Sequence, residues 1–439
     1  MYNILLFFSI HLINETKERM VITSMTLLEK MEEENKKSGL FTGRSDEILF
    51  PLGFPLLDEL LGGIFKIRTP EGEEHENIQL GIPGGTHCMF VGPSQSGKTT
   101  AAIQAAWNIV EPFGEDAFII HRDAEKSTDL PRVQTLLGID TYTLKKRYRI
   151  FRDNNTWDNL LEQIKKIAEE KESDPARYKY NTGIKDVFGN DIEYYIPTVF
   201  IVDSFMKFTS DSEDVGEISG LMSGGREAIF RGKFYKNSLE WMNKYNIIVF
   251  MIHHFSDIMP SIGPGQNKGK QLPFIPSGKQ ISGGDQPILL TSTIIGWVPI
   301  NSKDELKTKE LNGYDGFPVK ALVVKTRTSS GGTYCVQEFS QAAGYDSRLT
   351  LMRFAKEKGL IAGRNPSCYF TSSPDVKFDT RCFLSELKRD PNVVRTLFQE
   401  CKPLMKELIP VIDSLNEDDI IRASKYKQES RSLLRDMYK

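Results

Sequence analysis

The chain has few cysteines, and those it has form no motif. Five (Cys88, Cys335, Cys368, Cys382, Cys401) are scattered over 439 residues with no Cys-x-x-Cys spacing. That argues against a disulfide framework or a cysteine-built zinc site, and it fits a reducing, cytoplasmic setting. Long apolar runs are missing too. None reaches the ~18 residues a membrane helix needs, so no membrane partner is expected. Tyr2 to Ile13 is apolar but has neither a basic leader nor a small-residue cleavage site, so it does not read as a signal peptide. Met20 and Met25 follow closely as alternative starts. An excess of one charge is also absent. Lys plus Arg is 56 against 59 Asp plus Glu, a net −3, which excludes a histone-like basic protein but not locally clustered cations. There is no internal repeat. What remains is 39% hydrophobic, 26% charged and 10% aromatic, a globular mixture that excludes wholesale disorder.

Apolar runs alternate with helical patterns from Thr86 onward. THCMFVG (86–92), AFIIHRD (117–123), TVFIVDS (198–204), NIIVFMIHH (246–254), STIIGWVPI (292–300) and KALVVKTRT (320–328) read as strands. Helices are expected over 98–110, over 156–171 with Thr156 as N-cap, and near 226–244. Runs apolar on both faces, separated by helices, predict an α/β fold with a mostly parallel sheet flanked by helices. A short charged helix is expected over 26–40, an acidic insert at Glu71 to Asn77 and a polar insert over 172–197. The stretch 256–287 is rich in Gly, Pro and Lys and has no apolar period, which marks a functional loop.

Gly92-Pro93-Ser94-Gln95-Ser96-Gly97-Lys98-Thr99 satisfies G-x-x-x-x-G-K-[ST] between a strand and a helix. Backbone N–H groups in such a loop curl around a phosphate, and the helix from Lys98 adds its positive end. Lys98 would reach the β/γ oxygens of a nucleoside triphosphate, the Thr99 hydroxyl would ligate Mg²⁺, and Thr100 would continue the cradle. Asp203, at the end of TVFIVD, is placed to hold the metal shell. Glu125, just past AFIIHRD, is the candidate for activating water, with Asp123 and Asp129 as competitors. His253 and His254 are adjacent in a strand, face opposite ways, and so do not share a zinc ion. Lys325 and Arg327 stand at i and i+2, which in a strand is one face.

Taken in order, GPSQSGKTT, DAEKSTD (123–129), VFIVDS and Gly283-Gly284 resemble the RecA-like recombinases, closest to the phage-type UvsX-like branch, over about residues 50–365. The resemblance implies a RecA-like P-loop core over 50–342. It implies an N-terminal tail and oligomerisation segment over 1–49 and a mainly helical domain over 343–439. Asp129 would contact the adenine amino group. His254 would sense the γ-phosphate and pass its state to DNA-binding loops near 214–226 and 255–284. In those loops Met222, Arg226, Lys279, Gly283 and Gly284 would meet DNA. Lys325 and Arg327 would reach across to the neighbouring protomer's ATP, like an arginine finger supplied in trans. The expected partners are single-stranded and homologous duplex DNA, further copies of the chain in a helical filament or a ring, and loader and single-strand-binding proteins. The expected place is the nucleoid or, for a phage protein, the host cytoplasm. A DNA-dependent ATPase performing strand exchange is the leading expectation; a ring helicase motor and a non-catalytic ATP-binding mediator are the alternatives.

Overall fold

Alternation within each apolar run decides how the sheet is covered. The computed structural model describes residues 48–68, 74–185, 191–209, 223–258, 273–281, 285–300, 316–340, 343–380, 391–409 and 411–413. All belong to one compact unit, Ser45–Lys439. Its centre is a ten-stranded sheet. The strands are β1 (His87–Gly92), β2 (Ile119–Asp123), β3 (Tyr148–Phe151), β4 (Thr198–Asp203), β5 (Ile247–Asp257), β6 (Lys279–Ile281), β7 (Thr293–Pro299), β8 (Gly316–Lys325), β9 (Tyr334–Ser340) and β10 (Gly344–Tyr345). They lie in the order β10-β9-β8-β7-β1-β5-β4-β2-β3, with β6 paired back onto β5. From β7 to β3 neighbours run parallel, whereas β8, β9 and β10 form an antiparallel edge. The expected α/β architecture with a mostly parallel sheet is therefore present.

Successive residues of β4 and β5 point into different cores. Val199, Ile201, Ile248, Phe250 and Ile252 join Ala101, Ala102, Ala105 and Ala106 of helix α1 (Lys98–Val110) on one face. Phe200, Val202, Ile247, Val249 and Met251 face the other way. There they meet Trp157, Leu160 and Ile164 of α2 (Trp157–Ser173) and Phe234 and Tyr235 of α3 (Ser223–Tyr245). Small residues on α1 let it lie close to the sheet, which brings its N-terminus to the strand ends. Thr156 caps α2 as expected, its hydroxyl accepting from Asn159 N.

The register aligns the C-terminal ends of four neighbouring strands. Gly92 pairs with His254, and Asp203 pairs with Asp123. These ends form one rim, where ligands of open α/β sheets bind.

Elsewhere the chain is more ordered than its polarity suggested. The expected acidic insert contributes the strand Glu74–Gln79, paired with Gly63–Arg68. The expected 172–197 insert carries the hairpin Lys179–Lys185 with Asp191–Tyr195. Beyond residue 342, β10 completes the sheet edge and helices Ser347–Glu357 and Pro391–Lys406 add to the core. Short strands Ile361–Ala362, Cys368–Phe370 and Ser373–Phe378 lie between them, and Val411–Asp413 pairs with Gly63–Arg68. So strands as well as helices make up this C-terminal stretch. The expected 26–40 helix lies outside the described residues. No described helix is long and apolar enough to cross a membrane.

Candidate functional site

Two glycines give the loop between β1 and α1 its shape. A Cβ on Gly92 would stand 2.1 Å from the Trp297 carbonyl oxygen, so only glycine fits against β7. Gly97 has φ +82 and a Cβ there would meet Tyr345 Oη at 2.4 Å. Tyr345 braces the loop from below by donating from its hydroxyl to Ser96 O at 3.2 Å. Gln104 of α1 holds Tyr345 in turn, accepting from its N at 2.8 Å and donating to its O at 3.2 Å.

Above this floor is a cavity of about 570 Å³. Ser94, Gln95, Ser96, Gly97, Lys98, Thr99 and Thr100 line one side; Glu125, Asp203, Ile252 and His254 line another. Lys98 is 4% exposed. Its Nζ donates to Pro93 O at 2.5 Å and to Ser96 Oγ at 3.4 Å. Burial pulls its pKa down to about 8, against the opposing pull of Asp203 and Glu125. Thr99 Oγ1 donates to Asp203 Oδ2 at 2.7 Å. Burial raises Asp203 to about 6, although the Thr99 hydrogen bond works the other way.

This Thr–Asp pair fits Mg²⁺, which takes hard oxygen ligands and keeps waters and phosphate oxygens for the rest of its shell. Among the described residues no group of three or more His, Cys, Asp or Glu is placed to hold a metal ion. A consequence is measurable. A proton competes with the metal below the raised pKa of about 6. Mg²⁺ affinity is therefore expected to fall by about tenfold per pH unit below that point and to be flat above it. Calorimetric titrations of wild type and Asp203→Asn across this range check it: the variant lacks the slope.

Glu125 is positioned through backbone. Ala124 N and Glu125 N both donate to Asp203 O, at 2.6 and 3.2 Å, which ties the turn after β2 to the end of β4. Its Oε1 lies 3.7 Å from His254 Nε2 and 3.8 Å from Lys207 Nζ. His254 is held below its ordinary pKa by burial and by Lys98, so the imidazole is neutral at pH 7. His253 faces the opposite core, fully buried, its ring 4.4 Å from Phe205. Asp123 is committed elsewhere: its carboxylate accepts from Ser127 N and Thr128 N. Asp129 is the exposed N-cap residue of the helix Leu130–Leu137 and is not part of the cavity wall.

Lys325 and Arg327 lie at the other end of the sheet. β8 is antiparallel, and Lys325 pairs with Ile294, beside the β7 residue Thr293 that pairs with Cys88 near the start of β1. Lys325 Nζ donates to Ile288 O and Leu289 O, closing the end of the helix Asp285–Leu290. The strand stops at Lys325, so the alternation expected to put Arg327 on the same face does not extend to it.

Of the expected DNA-contacting residues, Met222, Gly283 and Gly284 lie outside the described residues. Arg226 falls in the first turn of α3. Lys279 is on β6 and pairs with Asp257 at 2.6 Å. Phe255, next to His254, pairs with Ile281, so the strand that carries His254 runs straight into the base of the second loop.

Ile252, Lys207, Phe317 and Phe339 were missed from sequence. Lys207 follows an apolar strand and carries no motif. Phe317 and Phe339 form an apolar cavity wall with rings 4.9 Å apart, on strands no local pattern links to the loop. A scan against protein-family models finds no match, and a search of curated proteins finds none either.

Proposed function

We propose that the protein is an ATP-hydrolysing recombinase of RecA-like type. It assembles on single-stranded DNA and promotes homologous pairing and strand exchange with duplex DNA. The observation that carries this reading is the gathering of Lys98, Thr99, Asp203, Glu125 and His254 around one cavity at the rim of a parallel sheet. His254 also adjoins the ladder that anchors the second loop.

The residues divide the work. Loop amides and the α1 N-terminus bind the phosphates, and Lys98 neutralises them in a site sheltered from water. Thr99 and Asp203 hold Mg²⁺, which offsets phosphate charge when bound. Glu125 accepts the proton of the attacking water. The neutral imidazole of His254 donates toward the γ-phosphate and shifts when that group leaves, which moves β5 and the loop it leads into. Lys325 and Arg327 sit too far along the sheet to serve their own cavity. A neighbour's pair supplies those charges, so hydrolysis depends on assembly.

The direct test is ATP turnover with and without single-stranded DNA. Turnover rises with DNA, and the affinity is steeply salt-dependent. The second loop also carries Lys268 and Lys270, which lie outside the described residues; neutralisation of three phosphates by these two and Lys279 predicts roughly 20-fold weaker binding between 50 and 200 mM salt. A response flat in both DNA and salt overturns the reading in favour of a mediator. Electron micrographs with a non-hydrolysable ATP analogue then separate helical fibres, expected of a recombinase, from closed helicase rings.

A further inference from the structure

A second cavity, about 550 Å³, opens at the same rim as the first. Its walls come from the turn after β2, the loop after β3 and the segment after β4. Lys126, Arg152 and Lys207 give it cations; Asn155, Asn159 and Thr209 give it amides and a hydroxyl. Among the described residues Asp153 is the one carboxylate lining it, and that group pairs with Lys126 at 3.1 Å. Arg152 donates to Thr128 O at 2.8 Å and stands 3.9 Å from Asp123.

Behind the lining sits Arg122, 1% exposed. Its guanidinium donates to Asn155 Oδ1 at 3.1 Å, to Asn159 Oδ1 at 2.7 Å, and to the carbonyls of Asp153 and Asn154. All four acceptors are neutral oxygens. A buried positive charge is thus solvated but not cancelled, and its field falls on the cavity. It also takes the oxygen ends of both amides, which leaves the N–H end of Asn159 for whatever the cavity holds. Cations in front, a cation behind and amide donors between them describe a receptor for an oxyanion.

Lys207 connects this cavity to the first. It lines the second cavity, while its Nζ lies 3.8 Å from Oε1 of Glu125, which lines the nucleotide cavity. Lys207 is 54% exposed, and an ion pair so open to water biases a side chain by no more than about fivefold. A multiply charged anion in the second cavity therefore competes for Lys207 successfully.

We propose that the second cavity binds a phosphate-class oxyanion through Lys126, Arg152 and Lys207, and that occupancy draws Lys207 away from Glu125. Freed of that ion pair, the Glu125 carboxylate is open to the attacking water, so anion binding speeds hydrolysis. Only this coupling rests on the reading of Glu125 as the hydrolytic base; the binding site stands on its own geometry.

Two measurements test it. In the first, protein saturated with a non-hydrolysable ATP analogue, so that the first cavity is filled, is titrated calorimetrically with inorganic phosphate and with oligothymidylate. Binding of either, weakened about tenfold in both Arg152→Gln and the exposed variant Lys126→Gln, is expected for loss of one charge-assisted contact. Phosphate binding alone identifies a free anion; binding only to oligothymidylate, weakened in both variants and lost in a methylphosphonate analogue, identifies a nucleic-acid backbone. No binding, or binding unchanged in both variants, overturns the site. In the second, Lys98-dependent ATP turnover is compared in wild type and Lys207→Met. The variant is expected to turn over several-fold faster than wild type without anion, on the scale of the bias above, and to lose its anion response. An anion response equal to wild type overturns the coupling. A wild type with no Lys98-dependent turnover defeats the ATPase reading instead, and the binding titration still decides the site.

Discussion

Lys98→Ala is expected to lower ATP turnover by at least ~100-fold, the scale for losing a donor that meets charge developing in the transition state. The ammonium is buried under the loop, held by Pro93 O and Ser96 Oγ, with its pKa already down at about 8. A cation so poorly hydrated gains more from a triphosphate than a surface lysine does. Loss of activity through misfolding is separable by its opposite sign. The folded-state pKa lies below the ordinary 10.5, so between pH 8 and 10.5 the native protein binds fewer protons than the unfolded chain. Without nucleotide, this residue's penalty on stability is full below pH 8 and fades as pH rises toward 10.5. Lys98→Met lacks that rise, so below pH 8 it melts no lower than wild type while failing to turn over ATP. Unchanged turnover in either variant discards the phosphate-site assignment.

What could be read in advance follows the reach of local physics. The tight turn over Gly92 to Thr99 was legible because its glycine spacing imposes backbone needs on consecutive residues, and Gly97 sits at φ +82. The strand runs were legible because both faces of β4 and β5 are covered, which demands continuous apolarity. The opposed faces of His253 and His254 followed from pleating alone. Lys207 was not legible. Its significance lies in a contact with Glu125, far earlier in the chain, across two strand ends that only the order β4-β2 brings together. Phe317 and Phe339 reach the cavity through the antiparallel edge, whose placement beside β7 no local pattern encodes. Arg327 failed for a related reason: alternation holds only while a strand lasts, and β8 ends two residues short of it.

A mixture of two inactive proteins tests the shared site. Lys325→Ala/Arg327→Ala alone is expected to lose roughly 1000-fold in turnover, the lower range for a cation that meets a transferring phosphoryl group from a neighbour. Lys98→Ala loses its activity for the other half of the site. In random co-assembly at equal amounts, half of the phosphate loops are intact and half of those face a neighbour with intact cations. About a quarter of wild-type turnover should therefore return, as head-to-tail interfaces require. Within one chain the two parts do not meet, because Lys325 pairs beside the start of the parallel strands while the loop after β1 leaves their far end. A purely structural role for Lys325, which closes the helix Asp285–Leu290, predicts something different. Mixing cannot mend a chain that folds poorly, so turnover would stay at background although circular dichroism shows one component partly melted. Background turnover from two well-folded components in demonstrably mixed assemblies confines the nucleotide site to one protomer, and the link between assembly and hydrolysis is lost with it.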